Sequence, residues 1–260
     1  MNKKILIIPD VHGRTFWKSA LKSGDYEKIV FLGDYTDPYE MEGITNREAL
    51  KNFKSIIAFK QQNPEKVVLL LGNHDLHYYS EYYYELAGGV RYDPVSAVAL
   101  QRLFTKYHSF FQLAWETDWG NKHYLFSHAG ITQSWLKRNV ELIRKPDARH
   151  LNRLLHSNEG LESMAQAGEM RWGDYPSGSI VWADIDELLV SNPLSGIYQI
   201  VGHTMQFDGP IITDSLVCLD CRAAFTLNDT GNMKLVTELT SYEDVITFYK
   251  LILVFLIYYL

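Results

Sequence analysis

Five apolar runs, each ending in polar side chains that can bind a metal or move a proton, most constrain the fold of this chain. The runs are KKILIIPDVHG, KIVFLGDYTD, KVVLLLGNHD, KHYLFSHAG and IYQIVGHT. Short β-rich runs bounded by glycine are typical of buried strands. An open α/β sheet places its ligand site beyond the carboxyl ends of its strands. The sequence therefore predicts an α/β fold with its functional site at these five strand ends.

Helical patterns lie between the predicted strands. Thr45 and Glu48 form a T-N-R-E capping box, which predicts a helix that Pro64 ends. A second helical pattern covers residues 94–112. Residues 132–172 contain polar helical segments without a strand pattern, and we interpret them as a helical cap or insertion beside the site. Because no linker-like segment divides the chain, we predict one domain over residues 1–260.

Composition excludes some functions. The 260 residues carry a net charge of −6, which argues against strong nucleic-acid binding, since that requires a clustered basic face. A small anionic substrate remains compatible, because a bound metal can invert the local field. Cys218 and Cys221 lie in a strand-like run, so we expect buried or half-buried thiols rather than a disulfide framework.

The two ends of the sequence bear on localisation. The first apolar run has only four residues before polar groups interrupt it, which is unlike a signal peptide. The apolar residues 245–260 include Lys250 and are shorter than the roughly 20 residues that span a bilayer. We therefore expect a cytoplasmic protein without a membrane span, in which this segment is a terminal helix or strand packed on the domain, with a membrane tail anchor as the alternative.

The strand ends together supply a mixed set of oxygen and nitrogen donors. They are Asp10, His12, Asp34, Asn73, His128 and His203. Such donors suit manganese, iron, zinc, cobalt or nickel better than an all-oxygen calcium site. Six donors exceed the needs of one tetrahedral ion, so we predict two divalent ions, with manganese favoured. Asp10 and His12 would hold the first ion, Asp34 would bridge, and the remaining three donors would hold the second.

His74 and Asp37 are left over by this assignment. His74 directly follows Asn73, so it can face the site without binding a metal. A leaving alkoxide needs a proton, and an imidazolium is a suitable donor near neutral pH. Asp37 would orient the ring and favour its charged form. We therefore predict that His74 is the general acid and that Asp37 is its partner.

The motif series resembles that of the calcineurin-like metallophosphoesterases. It comprises D-V-H-G (10–13), G-D-Y-T-D (33–37), G-N-H-D (72–75), S-H-A-G (127–130) and G-H-T (202–204). The chain is most similar to the branch that holds phosphoprotein phosphatases, bacteriophage-type phosphatases and symmetrical diadenosine tetraphosphate hydrolases. The resemblance implies a four-layer α/β/β/α sandwich and a metal-bridging hydroxide that attacks phosphorus. It also implies the ligand, acid and orienting roles given above.

The sequence departs from this family at the phosphate clamp. The second family motif usually runs G-D-x-V-D-R-G, and here Pro38 replaces its arginine. Another family arginine usually precedes the last histidine, where this chain has Asp184 and Asp186. Neither proline nor aspartate can reproduce the bidentate binding of phosphate by arginine. The candidate substitutes are Arg14, Arg171 and Arg222.

These features predict hydrolysis of a phosphate ester or anhydride in a small molecule or a phosphoprotein. The missing clamp weakens the case for a monoester dianion, so a nucleoside polyphosphate or a phosphodiester is the alternative substrate. A metal-binding module without turnover is a further alternative. The tyrosine cluster YYSEYYY (78–84) could stack a nucleobase, although aromatic residues at this density favour packing.

Overall fold

The computed structural model describes residues 3–190 and 194–238, and their strands match the predicted runs. The strands are β1 (Lys4–Ile8), β2 (Lys28–Phe31), β3 (Val67–Leu70), β4 (Phe111–Gln112), β5 (Ala114–Trp119), β6 (Lys122–Ser127), β7 (Ile197–Val201), β8 (Ile211–Ile212), β9 (Leu216–Cys218), β10 (Ala223–Asn228) and β11 (Met233–Glu238). The five apolar runs form β1, β2, β3, β6 and β7, as predicted.

The helices lie mainly between β1 and β7. They are α1 (Phe16–Lys22), α2 (Asn46–Gln62), α3 (Asn73–Tyr79), α4 (Glu81–Ala87), α5 (Pro94–Lys106), α6 (Gln133–Arg138), α7 (Val140–Ile143), α8 (Ala148–Asn152), α9 (Asn158–Met164) and α10 (Ile185–Val190). The capping box at the start of α2 is confirmed, because Thr45 Oγ1 accepts from the Glu48 N–H while the Glu48 carboxylate accepts from the Thr45 N–H.

The described strands form two sheets. The first has the order β11-β10-β1-β2-β3-β4, and the second has the order β5-β6-β7-β9-β8. Strands β1 to β4 are parallel to their neighbours in that series. In the second sheet β6, β7 and β9 are parallel. The carboxyl ends of the parallel strands therefore meet at one edge of each sheet, which brings the five polar motifs together.

The two sheets pack face to face between helices. Ile7 of β1 lies in one buried cluster with Phe126 of β6 and Ile200 of β7, which forms the layer between the sheets. The other face of the first sheet packs on helices, as Leu6 and Phe53 of α2 show. On the outer side of the second sheet, residues of β7 and β9 pack against α10. The predicted four-layer α/β/β/α sandwich is confirmed.

The helices between β6 and the end of α9 pack into this same fold. Buried side chains such as Trp135, Ile143, Leu151 and Met164 share a core cluster with residues of α2 and α5. The predicted segment of polar helices is therefore present, and its apolar residues join the main core.

The predicted helix over residues 94–112 was too long. Helix α5 ends at Lys106, a short 3₁₀ turn follows, and Phe111 belongs to β4, which pairs with β3. The apolar spacing continues past the end of the helix because Phe111 is a buried strand residue.

Two other predictions concern the thiols and the carboxyl-terminal segment. Cys218 is buried and Cys221 half-buried, and both are free, as expected. Residues 245–260 lie outside the described part of the chain. Over the described ranges, no helix combines the length and the apolar character that crossing a membrane requires.

Candidate metal centre and catalytic site

Several site residues adopt a left-handed backbone conformation. The φ angles are 42° at His12, 52° at Asp34, 54° at Asp37 and 66° at His203. Such angles are costly for residues other than glycine and persist where surrounding contacts enforce them. One such contact joins the first two motifs, because the His12 N–H donates to the Asp34 carbonyl at 2.6 Å. The loops are thus held in the conformation that turns these side chains towards one another.

Two glycines allow the motifs to approach closely. A Cβ atom at Gly202 would lie 2.1 Å from Asp10 Oδ2, and one at Gly72 would lie 2.1 Å from Asp34 Oδ1. Both distances are well inside van der Waals contact, so any larger residue would displace a site carboxylate. The glycines of the G-N-H-D and G-H-T motifs therefore leave the space that the Asp34 and Asp10 carboxylates occupy.

Two groups of possible metal ligands share Asp34. In one group the donor atoms of Asp10, His12 and Asp34 lie within 4.8 Å of one another, and in the other Asp34 joins His128 and His203 under the same limit. All five side chains lie in the cleft formed by the strand ends. An ion in each group would make Asp34 the shared ligand, which is the arrangement predicted from the sequence.

The histidine tautomers leave lone pairs facing the carboxylate. His128 Nδ1 donates to the Leu32 carbonyl at 2.9 Å, and His12 Nδ1 donates to the Thr36 carbonyl at 2.9 Å. In the neutral rings, each Nε2 is then an acceptor. Nε2 of His12 and of His128 lie 3.4 Å and 3.5 Å from Asp34 Oδ2, which is also an acceptor. Facing acceptors repel unless a cation lies between them, so this donor set fits metal ions.

Asn73 adds an amide to the second group. Its Oδ1 lies 3.0 Å from His128 Nε2, and His203 Nδ1 lies 3.1 Å from that same nitrogen. His203 Nε2 is buried without a hydrogen-bond partner. Four donor-capable side chains therefore converge in the second group, and the structure brings together all six residues that the sequence predicted as ligands.

Burial and mutual charge set the protonation of these groups. Burial alone would raise the pKa of Asp34, but the neighbouring histidines, His128 foremost, outweigh it and lower that pKa. Burial lowers the pKa of His12 and of His203, which favours the neutral rings that metals bind. Burial and the Asp34 carboxylate raise the pKa of Asp10 to about 7.

We expect the raised pKa of Asp10 to make metal binding depend on pH. Below about pH 7 the metal-free protein holds a proton on Asp10 that an incoming cation must displace. Apparent manganese affinity should therefore fall up to about tenfold for each unit of acidification below that pH. Calorimetric titration with manganese between pH 5.5 and 8 measures this slope. Asp10→Asn should flatten the slope, and an unchanged slope in that variant would contradict the assignment.

His74 stands beside the metal groups with Asp37 as its partner. His74 Nδ1 donates to Asp37 Oδ2 at 3.0 Å, and Tyr78 Oη donates to Asp37 Oδ1 at 2.6 Å. Both oxygens of the Asp37 carboxylate are thus engaged, and the orientation of the His74 ring is fixed. Tyr78 belongs to the tyrosine cluster of residues 78–84 but was not predicted as a site residue. Tyr78 and Tyr83 of this cluster are both buried, which fits the packing role that the sequence favoured.

Asp75 is another site residue that sequence reasoning missed. Its carboxylate accepts from the backbone N–H groups of Asp34, Tyr35 and Gly72 at 2.7–2.9 Å. It thereby ties the loop after β2 to the loop after β3. The sequence signal that could have identified Asp75 is its position as the last residue of the G-N-H-D motif.

Two of the predicted substrate-binding arginines pair with one carboxylate. The Arg14 guanidinium forms a bidentate pair with Glu42 at 2.7 Å and 2.9 Å, and its third nitrogen donates to the Asp10 carbonyl. Arg222 Nε donates to Glu42 Oε1 at 2.8 Å, the oxygen that also accepts from Arg14 Nη2. Arg14 is almost completely buried, with 1% of its surface exposed. These pairs anchor the loop that carries Asp10, and a role in substrate binding stays a prediction for both arginines.

We expect Glu42→Gln to destabilise the fold. The neutral amide would leave the buried Arg14 guanidinium without its anionic partner, which should lower the free energy of unfolding by about 3 kcal/mol. Urea unfolding measures the loss, with Glu40→Gln as the control, because Glu40 is an exposed glutamate in the same turn. Equal stability of the two variants would show that the pair does not hold this loop.

Two further arginines flank the metal groups. Arg171 lies on the His203 side, where Nη2 donates to Thr204 Oγ1 at 2.8 Å and Nε lies 2.8 Å from Asp184 Oδ2. Arg91 lies on the His74 side, where its Nη2 donates to His74 Nε2 at 3.0 Å. No sequence motif marked Arg91, because the loop between α4 and α5 lies outside the five motifs.

A family model described as calcineurin-like phosphoesterase matches residues 3–207. No curated protein matches the chain. Among solved structures, a metallophosphoesterase from Sphaerobacter thermophilus is 14% identical, with 92% of this chain and 89% of that chain covered and a TM-score of 0.40. A sulfate thiohydrolase SoxB from Thermus thermophilus in complex with glycerol is 12% identical, with 93% and 45% covered and a TM-score of 0.35.

Proposed function

We propose that this chain, which belongs to the calcineurin-like phosphoesterase family, is a phosphoesterase that depends on two metal ions. The family match covers residues 3–207, which include every motif of the site. The observation that carries the proposal is the sharing of Asp34 between two groups of ligand atoms. The expected substrate is a phosphate ester or anhydride in a small molecule or a phosphoprotein.

The metal ions would supply charge and activate water, and the protein would hold the ions in place. Two divalent ions, when bound, supply the charge that neutralises phosphoryl oxygens and activates water for attack on phosphorus. Asp10, His12 and Asp34 would hold one ion. The other would be held by Asp34, Asn73, His128 and His203. Because the donors mix carboxylate, amide and imidazole groups, we propose manganese first, with iron, zinc, cobalt and nickel as alternatives.

His74 would then deliver the proton that the leaving oxygen requires. Its backbone N–H donates to Asp34 Oδ1 at 3.1 Å, which holds the residue beside the proposed bridging ligand. Its Nδ1–H is engaged by Asp37, so Nε2 is the atom that can face the leaving group. Asp37 stabilises the imidazolium and fixes the direction of proton transfer, while Tyr78 keeps the Asp37 carboxylate in place.

The direct test is hydrolysis by purified, metal-defined protein. Manganese-loaded protein should hydrolyse an aryl phosphate between pH 5 and 9, and chelator-treated protein should not. Parallel rates on an aryl monoester, an aryl diester and a dinucleoside tetraphosphate would rank the substrate classes. Failure to hydrolyse every substrate with manganese, iron, cobalt, nickel and zinc, despite bound metal, would favour a metal-binding module without turnover.

A further inference from the structure

Arg91 is held against the proposed general acid by a strained loop. It lies between α4 and α5 with φ of 58°, in the left-handed region that few arginines adopt. Its Nη2 donates to His74 Nε2 at 3.0 Å. The guanidinium carbon lies 3.7 Å from the centroid of the Tyr39 ring, which stacks beneath it. Tyr39 in turn packs edge-on against the ring of His12, at 5.0 Å between centroids.

Arg91 differs from the neighbouring arginines, whose charges are neutralised by carboxylates. Arg14 and Arg222 pair with Glu42, and Arg171 pairs with Asp184. No carboxylate in the described part of the chain forms an ion pair with Arg91, and its buried Nε atom has no hydrogen-bond partner. A guanidinium stays charged at all relevant pH values, and it is a rigid fork that fits two oxygens of a phosphate.

The contact with His74 places this charge where a substrate would arrive. Nε2 of His74 is the nitrogen that the proposed mechanism directs at the leaving oxygen, and Arg91 Nη2 lies 3.0 Å from it. An anionic phosphoryl group attracts the guanidinium more strongly than a neutral imidazole lone pair does. Movement of the guanidinium onto the phosphoryl oxygens would therefore also free Nε2 to take up from water the proton that His74 then delivers to the leaving oxygen.

We propose that Arg91 binds the phosphoryl oxygens of the substrate through its guanidinium group. The proposal rests on the proposed phosphoesterase function and names the residue that recognises the phosphate. The donor comes from the α4–α5 loop, and the ring of Tyr39 keeps the guanidinium plane oriented towards the site. Because Nη2 lies 3.0 Å from His74 Nε2, the guanidinium stands beside the nitrogen that would face the leaving oxygen.

The test compares three variants of the manganese-loaded protein with wild type. Arg91→Met removes the charge, Arg91→Lys retains it without the fork, and Arg102→Met is the control because Arg102 is an exposed arginine on α5. Inorganic phosphate is the binding probe, measured by calorimetry, and KM and kcat are measured with an aryl phosphate. Metal content and thermal unfolding establish that each variant is folded and loaded.

We expect Arg91→Met to weaken phosphate binding and to raise KM about 10- to 100-fold, as for the loss of hydrogen bonds to a charged group. Arg91→Lys should recover part of this loss, and Arg102→Met should match wild type. Unchanged phosphate affinity and KM in a folded, loaded Arg91→Met protein would overturn the proposal, even if kcat changed.

Phosphate binding distinguishes failure of this proposal from failure of the proposed function. Phosphate binding that depends on Arg91, without hydrolysis of any substrate, would refute the esterase activity alone. Hydrolysis with Arg91-independent binding would refute only the role of Arg91.

Discussion

Replacing Asp34 with asparagine is expected to abolish activity, because this one carboxylate belongs to both groups of ligand atoms. Its Oδ2 lies 3.4 Å from His12 Nε2 and 3.5 Å from His128 Nε2. An amide offers only one good donor oxygen and no negative charge, so neither ion would keep its full set of ligands. We expect kcat/KM to fall on the order of 10³-fold or more, at least as much as when one transition-state donor is removed.

Metal analysis separates this prediction from general damage to the fold. Wild-type protein loaded with manganese should retain two ions per chain after desalting, whereas Asp34→Asn should retain fewer than one. Asp214→Asn is the matched control, because Asp214 is an exposed aspartate outside the site. If Asp34→Asn kept two ions and wild-type turnover, Asp34 could not be the bridging ligand.

Replacing His74 with asparagine should lower turnover while leaving the metals bound. Because His74 belongs to neither group of ligand atoms, metal content should stay at the wild-type value. The loss of a general acid should reduce kcat by about 10²–10⁴-fold for an alkyl phosphate, whose leaving oxygen needs a proton. With a nitrophenyl phosphate the loss should be much smaller, since nitrophenolate leaves without protonation.

The comparison of leaving groups distinguishes an acid from a residue that only shapes the site. His108→Asn, at an exposed histidine, provides the control for the substitution itself. A structural role for His74 would reduce the rates on both substrates equally. Such an equal loss would count against proton donation by His74 and would leave Asp37 without its proposed function.

The sequence located the residues that converge at the proposed metal site because their positions are tied to short apolar runs. Buried parallel strands appear as short apolar runs, and Asp10, Asp34 and His203 follow such runs closely. Parallel pairing then brings the strand ends together, whatever the details of the loops. The apolar runs and their order were therefore sufficient for the α/β class and for the residues gathered at the strand ends, whereas the four-layer arrangement was implied by the family resemblance.

The remaining features depend on contacts that no local pattern encodes. Arg91 contacts His74 from a loop whose backbone is left-handed at Arg91. Glu42 pairs with Arg14, which lies 28 residues earlier in the sequence. The position of Arg14 directly after the D-V-H-G motif cannot reveal that the Glu42 carboxylate already pairs with it. The end of α5 was misplaced for a similar reason, because Phe111 fits both a helical and a strand pattern.

An anomalous difference map from crystals grown with manganese tests the dinuclear centre most directly. Two peaks should appear at the manganese edge, about 3.5–4 Å apart, with the Asp34 carboxylate between them. Asp10 and His12 should contact one peak, and His128 and His203 should contact the other. A single peak, or peaks that do not touch Asp34, would contradict the two-metal phosphoesterase proposed for this chain.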